Sequence, residues 1–320
     1  MAKPVLLITR KLPAPVEARA AAAYEARFNP ADEPLIVEAL LRGAADVDGI
    51  LCTITDRITA EVVAALPARV RVIATFSVGT EHIDLDAAKA RGITVTNTPG
   101  ALTEATADIA FLLLLGAARR AWEGETLLRS GSWRGWAPTQ LMGADLYGRR
   151  LGIVGMGRIG QAVARRAQGF GMQVHYTGRR PRELSPGVVA EFHGSDRTFL
   201  PLCDFLSLHL ASTPDTRRWL NATRLAQLPR GAIVVNAARG DLVDDEALIG
   251  ALRSGQVAAA GLDVFTGEPN LDARYRDLPN SMLLPHLGSA TVDTRCAMGF
   301  RALDNLDAFF AGNQPPDALT

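Results

Sequence analysis

Gly155-Met156-Gly157-Arg158-Ile159-Gly160 carries the spacing G-x-G-x-x-G, and its surroundings supply the context that gives this spacing a chemical meaning. An apolar run at 151–154 precedes it. An Ala-rich helical stretch follows to about Phe170, and a second apolar run at 172–176 closes the segment. Strand, glycine turn, helix and strand within about 30 residues form a dinucleotide-binding pattern. Gly155 permits the tight turn, Gly157 lets the backbone approach a pyrophosphate, and Gly160 lets helix and strand pack closely. The N-terminus of the helix then faces the anion.

The end of the second run bears on which dinucleotide binds. A carboxylate about 20 residues beyond the glycines normally holds the ribose 2′-hydroxyl of NAD. Here the position is Thr177, followed by Gly178, Arg179 and Arg180. No acid repels a 2′-phosphate, and two guanidiniums can grip one. The pattern predicts a preference for NADPH/NADP, with NADH/NAD as the cofactor the same cradle can also take.

Three further groups suit a reduction. Arg239 follows a predicted strand in Asn-Ala-Ala-Arg-Gly (236–240). Glu268 follows the next in Gly-Leu-Asp-Val-Phe-Thr-Gly-Glu-Pro (261–269). His286 follows the last, in Leu-Pro-His-Leu-Gly-Ser-Ala (284–290). Ligands of open α/β sheets bind outside the carboxyl ends of the strands, so the three are expected to converge there. A carbonyl that receives a hydride needs a proton on its oxygen, and histidine is the natural acid near neutral pH. A carboxylate such as Glu268 favours the imidazolium and would raise the pKa of His286. Arg239 can hold a substrate carboxylate and polarise the carbonyl.

The elements that must position these groups alternate along the chain. Strands are predicted at 5–9, 49–51, 72–75 and 93–96, with a helix at 16–26. A long helix covers about 102–119. Residues 120–148 break the rhythm with turn formers and Trp133 and Trp136, and read as an arm. Alternation restarts with strands at 151–154, 172–176, 204–209, 232–236, 258–263 and 282–284, and with helices that include 245–255 and 292–311. The expected class is α/β with two doubly wound, parallel-sheet (Rossmann-like) domains. The first is 1–98, discontinuous and completed by the C-terminal helix in 290–320. The second is 99–289, with the arm at about 120–148.

Composition excludes several classes. Lys+Arg and Asp+Glu both number 34, so there is no net charge and no sign of a nucleic-acid partner. Lysine occurs only at 3, 11 and 89, leaving 34 − 3 = 31 arginines. Cys52, Cys203 and Cys296 are far apart and form no C-x-x-C, which argues against a disulfide framework or a zinc site; no metal is expected. A reduced, cytoplasmic setting is the expectation. The N-terminal apolar run is too short for a signal peptide, and the longest run, 109–118, is too short to span a bilayer.

The segments VGMGRIGQAVA, NAARGDLVDDEAL, AGLDVFTGEP and LPHLGSAT, in this order, resemble the D-2-hydroxyacid dehydrogenase family and its glyoxylate/hydroxypyruvate reductase branch. The resemblance spans nearly the whole chain. It implies that Arg239, Glu268 and His286 are catalytic. It implies that backbone N–H groups of Val78 and Gly79, in Ser77-Val78-Gly79-Thr80-Glu81-His82-Ile83-Asp84, bind the substrate carboxylate together with Arg239 and His286. It adds cofactor contacts at Arg158, Ile159, Thr213, Pro214, Ala237 and Asp263, the last holding the nicotinamide carboxamide, with Gly288 and His286 at the same end. Thr103 matches a helix start near the cofactor and is equally a plain cap. The arm matches a dimerisation region, with Trp136 reaching the partner's site, so a homodimer is implied. His82 has no assigned role; a solvated loop position is expected ahead of the alternative, a substrate contact.

The implied activity is NADP-dependent reduction of small 2-keto acids, glyoxylate to glycolate and hydroxypyruvate to D-glycerate. A longer 2-keto acid, or formate or phosphite oxidation on the same scaffold, is the alternative; an oxidised-cofactor specialist would more often show an acid near Thr177. Phosphoglycerate enzymes often carry a regulatory domain for which 320 residues leave no room. A dinucleotide-sensing corepressor would be favoured by basic or disordered tails, and none is evident.

Overall fold

The structure, a computed structural model, describes residues 2–320. The chain divides into two compact units, Met1–Leu102 with Ala290–Thr320, and Thr103–Ser289. The division falls at 102/103 rather than at the expected 98/99. Pro99-Gly100 is a turn, with Gly100 at φ 87°, and the next helix starts at Thr103.

The first unit runs β1 (Val5–Ile8), α1 (Ala14–Ala23), β2 (Glu25–Arg27), α2 (Val37–Gly43), β3 (Gly49–Cys52), α3 (Ala60–Ala65), β4 (Val72–Thr75), α4 (Leu85–Ala90) and β5 (Thr94–Thr96). Its sheet has the order β2-β1-β3-β4-β5, and every pair is parallel. β1, β3 and β4 are buried at each position, as strands with helices on both faces must be. The helix expected over 16–26 stops at Ala23. Tyr24 turns to an extended conformation, stacks near Phe310 with centroids 5.8 Å apart, and donates its hydroxyl to Asp307. The buried ring ends the helix, and residues 25–27 become an edge strand on β1. The helices α2, α3 and α4 lie between strands, where a doubly wound sheet requires helices, at positions the sequence reading left unbounded. At six or seven residues they are too short to show a helical period; α3 and α4 are instead marked by caps, Thr59 and Asp84 accepting N–H groups of Val62 and Ala87.

The second unit opens with α5 (Thr103–Ala118) and α6 (Ala121–Arg129), so the arm contains a helix the reading of 120–148 did not foresee. Then follow β6 (Arg150–Val154), α7 (Arg158–Gly169), β7 (Gln173–Thr177), β8 (Glu191–His193), α8 (Asp196–Phe199), β9 (Phe205–Leu208), α9 (Ala222–Leu225), β10 (Ala232–Asn236), α10 (Asp245–Ser254), β11 (Val257–Leu262) and β12 (Ser281–Leu283). All seven strands are parallel, in the order β12-β11-β10-β9-β6-β7-β8. β7 and β8 lie to one side of β6 and β9 to β12 to the other, which puts the topological switch point between β6 and β9. α5 is apolar nearly all round and lies against the sheet; Gly261 on β11 leaves no space for a Cβ, which would come 2.8 Å from Leu113. The chain ends with α11 (Val292–Phe310), which returns to the first unit. There Gly299 admits Val16, whose methyl carbons lie 2.6 Å from where a Cβ would stand, and Arg19 bridges Asp304 and Asp307. Among the described residues no helix is long and apolar enough to cross a membrane.

Candidate active site

The glycine loop sits at the switch point of the second unit. Gly155 closes it in the left-handed region at φ 97°, beside the His209 carbonyl at the end of β9, 2.7 Å from where a Cβ would stand. Gly160 lies with its missing Cβ 2.3 Å from the Gly155 carbonyl, so helix and strand can meet only through glycine. Gly157, by contrast, faces open space and precedes α7 without a side-chain cap or an acid in the first turn. The helix therefore offers uncapped N–H groups to an anion, and the three glycines fit a dinucleotide pyrophosphate. Met156 does not present its side chain there; it is packed in the core, leaving only its backbone to the loop. Arg158, Thr213 and Pro214 are exposed, and Ile159 is half-buried.

At the end of β7 the structure separates Thr177 from its neighbours. Gly178, Arg179 and Arg180 are exposed. Thr177 is buried, and its hydroxyl donates to the His193 carbonyl at 2.8 Å. The side chain thus ties β7 to β8, which gives a structural reason for a hydroxyl at this position.

Three loops bring the titratable set together. Asn236 is buried at the end of β10. Its amide donates to the Arg239 carbonyl at 2.8 Å and accepts the Ala238 N–H at 3.1 Å, which shapes the loop after Ala237. Glu268 accepts the Phe265 N–H at 2.7 Å and lies 2.8 Å from His286 Nδ1. Both side chains of this pair are one-third exposed. Burial opposes the charged form of Glu268. The hydrogen bond and charge of His286, the Phe265 N–H and the Arg239 guanidinium outweigh it and hold the carboxyl below its ordinary range. Nδ1 is thus the ring nitrogen that Glu268 pairs, and Nε2 is the one outside that bond.

His286 has φ 56°, a conformation a non-glycine residue rarely adopts. Asp263 holds it there: its carbonyl accepts the His286 N–H at 2.9 Å, and its carboxylate oxygens accept Leu287 and Gly288 N–H groups at 2.6 and 2.8 Å. Asp263 is fully buried, and burial pushes its pKa up against those donors. The geometry makes it the anchor beneath the histidine loop. Thr106 fixes the same loop by donating to the Gly288 carbonyl at 3.0 Å. Thr103 is the first residue of α5 and half-buried. Asn236, Gly240 and Thr106 were not singled out from the sequence. Only Gly240, beside Arg239, carried a signal, as a glycine at a strand end.

In the first unit, the 77–80 loop is held by side chains beneath it. Ser77 Oγ donates to the Gly79 carbonyl at 2.6 Å, and Asn97 Nδ2 to the Val78 carbonyl at 2.8 Å. The N–H groups of Val78 and Gly79 have no acceptor among the described residues of that unit. His82 is not a solvated loop residue. It is half-buried, with Nε2 2.9 Å from Thr75 Oγ1, which in turn lies 2.7 Å from Ser77 Oγ.

Comparison with known proteins agrees with this geometry. Residues 111–288 match the family model described as D-isomer specific 2-hydroxyacid dehydrogenase, NAD binding domain. A glycerate dehydrogenase from Hyphomicrobium methylovorum is 46% identical over 100% of both chains. The chain belongs to the D-isomer specific 2-hydroxyacid dehydrogenase family. As a member of that family it is an oxidoreductase with a nicotinamide dinucleotide cofactor. A glyoxylate reductase from Thermococcus onnurineus is 43% identical, with 98% of this chain and 95% of that one covered. An NADPH-dependent glyoxylate/hydroxypyruvate reductase from Sinorhizobium meliloti, solved with NADP and malonate, superposes with a TM-score of 0.89 at 35% identity over 100% of this chain and 97% of that one. These relatives support 2-keto acid reduction as the activity of this dehydrogenase.

Proposed function

We propose that this dehydrogenase reduces glyoxylate and hydroxypyruvate with NADPH, using Arg239, Glu268 and His286. The observation that carries the reading is the 2.8 Å contact of Glu268 with His286 Nδ1 within reach of the Arg239 charge. A bound reduced nicotinamide supplies the hydride. His286 Nε2 delivers the proton to the carbonyl oxygen as charge develops on it, and Glu268 stabilises the imidazolium and fixes the ring. Arg239 holds the substrate carboxylate and polarises the carbonyl. The Val78 and Gly79 N–H groups are the proposed backbone contacts to the same carboxylate. Gly155, Gly157 and Gly160, with the backbone of Met156 and the residues Arg158 and Ile159, would hold the pyrophosphate, and Gly178, Arg179 and Arg180 the 2′-phosphate. Asp263, proposed to hold the nicotinamide carboxamide with Gly288 at the same end, also keeps the His286 loop in place. Both other NAD(P)-facing expectations, Thr213-Pro214 and Ala237, remain proposed contacts along the strand ends.

A homodimer through the arm is part of the proposal. α6 has no buried residue, and Trp122, Leu128, Trp133 and Trp136 are half or more exposed on a single chain. Apolar surface of this extent is suited to a partner copy. Light scattering tests it.

The deciding assay is loss of reduced-nicotinamide absorbance, crossing NADPH and NADH with glyoxylate, hydroxypyruvate, pyruvate and phenylpyruvate. Fast NADPH oxidation with the two small acids supports the reading. Turnover with NADH alone keeps the reaction and overturns the role of Arg179 and Arg180. Turnover only with phenylpyruvate overturns the substrate class.

A further inference from the structure

Away from the glycine loop, the outer edge of the second sheet carries a cluster that the reaction does not use. β8 is the edge strand, paired in parallel with β7, with His175 opposite Glu191 and Thr177 opposite His193. His175 Nδ1 lies 3.0 Å from His193 Nε2. Glu191 leans over both, with Oε2 3.5 Å from His175 Nδ1 and Oε1 3.9 Å from His193 Nε2. The carboxylate is too far from either ring for a hydrogen bond. Two imidazole nitrogens and a carboxylate nevertheless gather there, with one ligand atom from each residue within 4.8 Å of the others.

We propose that His175, Glu191 and His193 form a binding site for one zinc-class divalent ion, clamping β8 to β7. Ligand atoms about 2.0–2.1 Å from a tetrahedral zinc lie about 3.3–3.4 Å from one another. With one oxygen taken from Glu191, the three ligand atoms all lie within 4.8 Å of one another and the two ring nitrogens are 3.0 Å apart, so rotation of the exposed Glu191 side chain brings the set toward that spacing. Two imidazoles and one carboxylate are a donor set suited to zinc, and too rich in nitrogen for magnesium or calcium. The two rings are nearly buried, with 12% and 10% of their side-chain surface exposed, whereas Glu191 is 68% exposed. The rings therefore form a fixed floor, and the carboxylate can close from the solvent side while water completes the tetrahedron.

The neighbours favour this use. Arg150, whose charge acts on His175, has its guanidinium committed to Asp204 through contacts of 3.0 and 3.1 Å. The Thr177 hydroxyl bonds the His193 carbonyl, which connects the clamped strands to the turn carrying Gly178 to Arg180. Cysteine spacing could not reveal such a site, since its ligands are two histidines 18 residues apart and an exposed glutamate.

The test uses tag-free, chelator-treated full-length protein. Zinc is titrated against a chromophoric chelator, and cobalt(II) serves as a spectroscopic probe of tetrahedral binding. One ion per chain is expected, with a rise in thermal midpoint. His193→Gln should weaken zinc at least about a hundredfold and Glu191→Gln about tenfold. Glu191 is exposed, so its variant keeps the test valid if the His193 variant folds poorly. No zinc bound at about 100 μM would overturn the proposal. So would zinc that is retained by His193→Gln and Glu191→Gln but lost in His286→Gln, since the ion would then sit at the Glu268–His286 pair.

Discussion

Gly240 and Phe265 touch through their backbones: a Cβ on Gly240 would stand 1.9 Å from the Phe265 carbonyl carbon. This contact sets the loop carrying Arg239 against the loop carrying Glu268. Gly240→Ala must push the loops apart, since backbone on the far side cannot yield as a side-chain tip can. Overpacking of this kind costs about 1–3 kcal/mol. The variant should lose stability by that order and lose most of its kcat/KM, while dinucleotide binding to the glycine loop persists. Thermal unfolding, steady-state kinetics and cofactor fluorescence check this; wild-type kinetics in the variant would refute the shared placement of the loops.

Glu268→Gln keeps an oxygen for the His286 N–H and removes the charge. General acid–base groups contribute about 10²–10⁴ in rate, and the loss here should fall toward the lower end because the ring stays oriented. His286→Ala should fall further. The stability effect has a defined sign. Glu268 is held below its ordinary value in the folded state. Its contribution is therefore present above the unfolded glutamate pKa of about 4.3 and is lost as pH falls through the folded value. The stability gap between wild type and Glu268→Gln should narrow on acidification below about pH 4. A gap that widens there would contradict the cause assigned to the shift.

Much of this arrangement was legible in the sequence because it is written in local rules. The glycine spacing places Gly155, Gly157 and Gly160, and the strand-end positions of Arg239, Glu268 and His286 follow from a parallel sheet that aligns its carboxyl ends. The supporting contacts were not legible. Asp263 reaches Leu287 and Gly288 more than twenty positions away, and Thr106 reaches Gly288 across the helix–sheet interface. Neither partner is marked by spacing. The helix over 16–26 was read too long because alanine favours helix up to the residue where tertiary burial of Tyr24 takes over. His82 looked solvated because loop position says nothing of the Thr75 hydroxyl beneath it.

The cofactor preference is best tested on Arg179 and Arg180 rather than on Thr177. Placing Asp at 177 would set a carboxylate against the His193 carbonyl that the Thr177 hydroxyl now satisfies, confounding cofactor choice with strand pairing. The arginines are exposed and carry no such duty. A charge-assisted hydrogen bond contributes about 1.5–3 kcal/mol, so Arg179→Ala with Arg180→Ala should raise KM for NADPH about ten- to a hundredfold. KM for NADH should stay nearly constant. Equal changes for both cofactors would place the 2′-phosphate elsewhere.

Acid sensitivity should centre on His209, whose carbonyl abuts Gly155 and whose ring nitrogen Nε2 lies 2.9 Å from Ser207 Oγ. Burial drives its pKa down to about 4. An unfolded histidine titrates near about 6.5. As pH falls below that value the unfolded chain takes a proton that the folded chain refuses, and stability declines; below about 4 both states are protonated and the decline ends. The full excursion amounts to about 3 kcal/mol. His209→Gln keeps a polar partner for Ser207 and removes the titration. Urea unfolding between pH 7 and pH 4 should then show a shallower loss of stability in the variant than in the wild type, with His175, also lowered by burial, accounting for part of the slope that remains. Identical slopes would mean that His209 is protonated at its ordinary pH in the folded chain, and that the end of β9 is open to water beside the glycine loop.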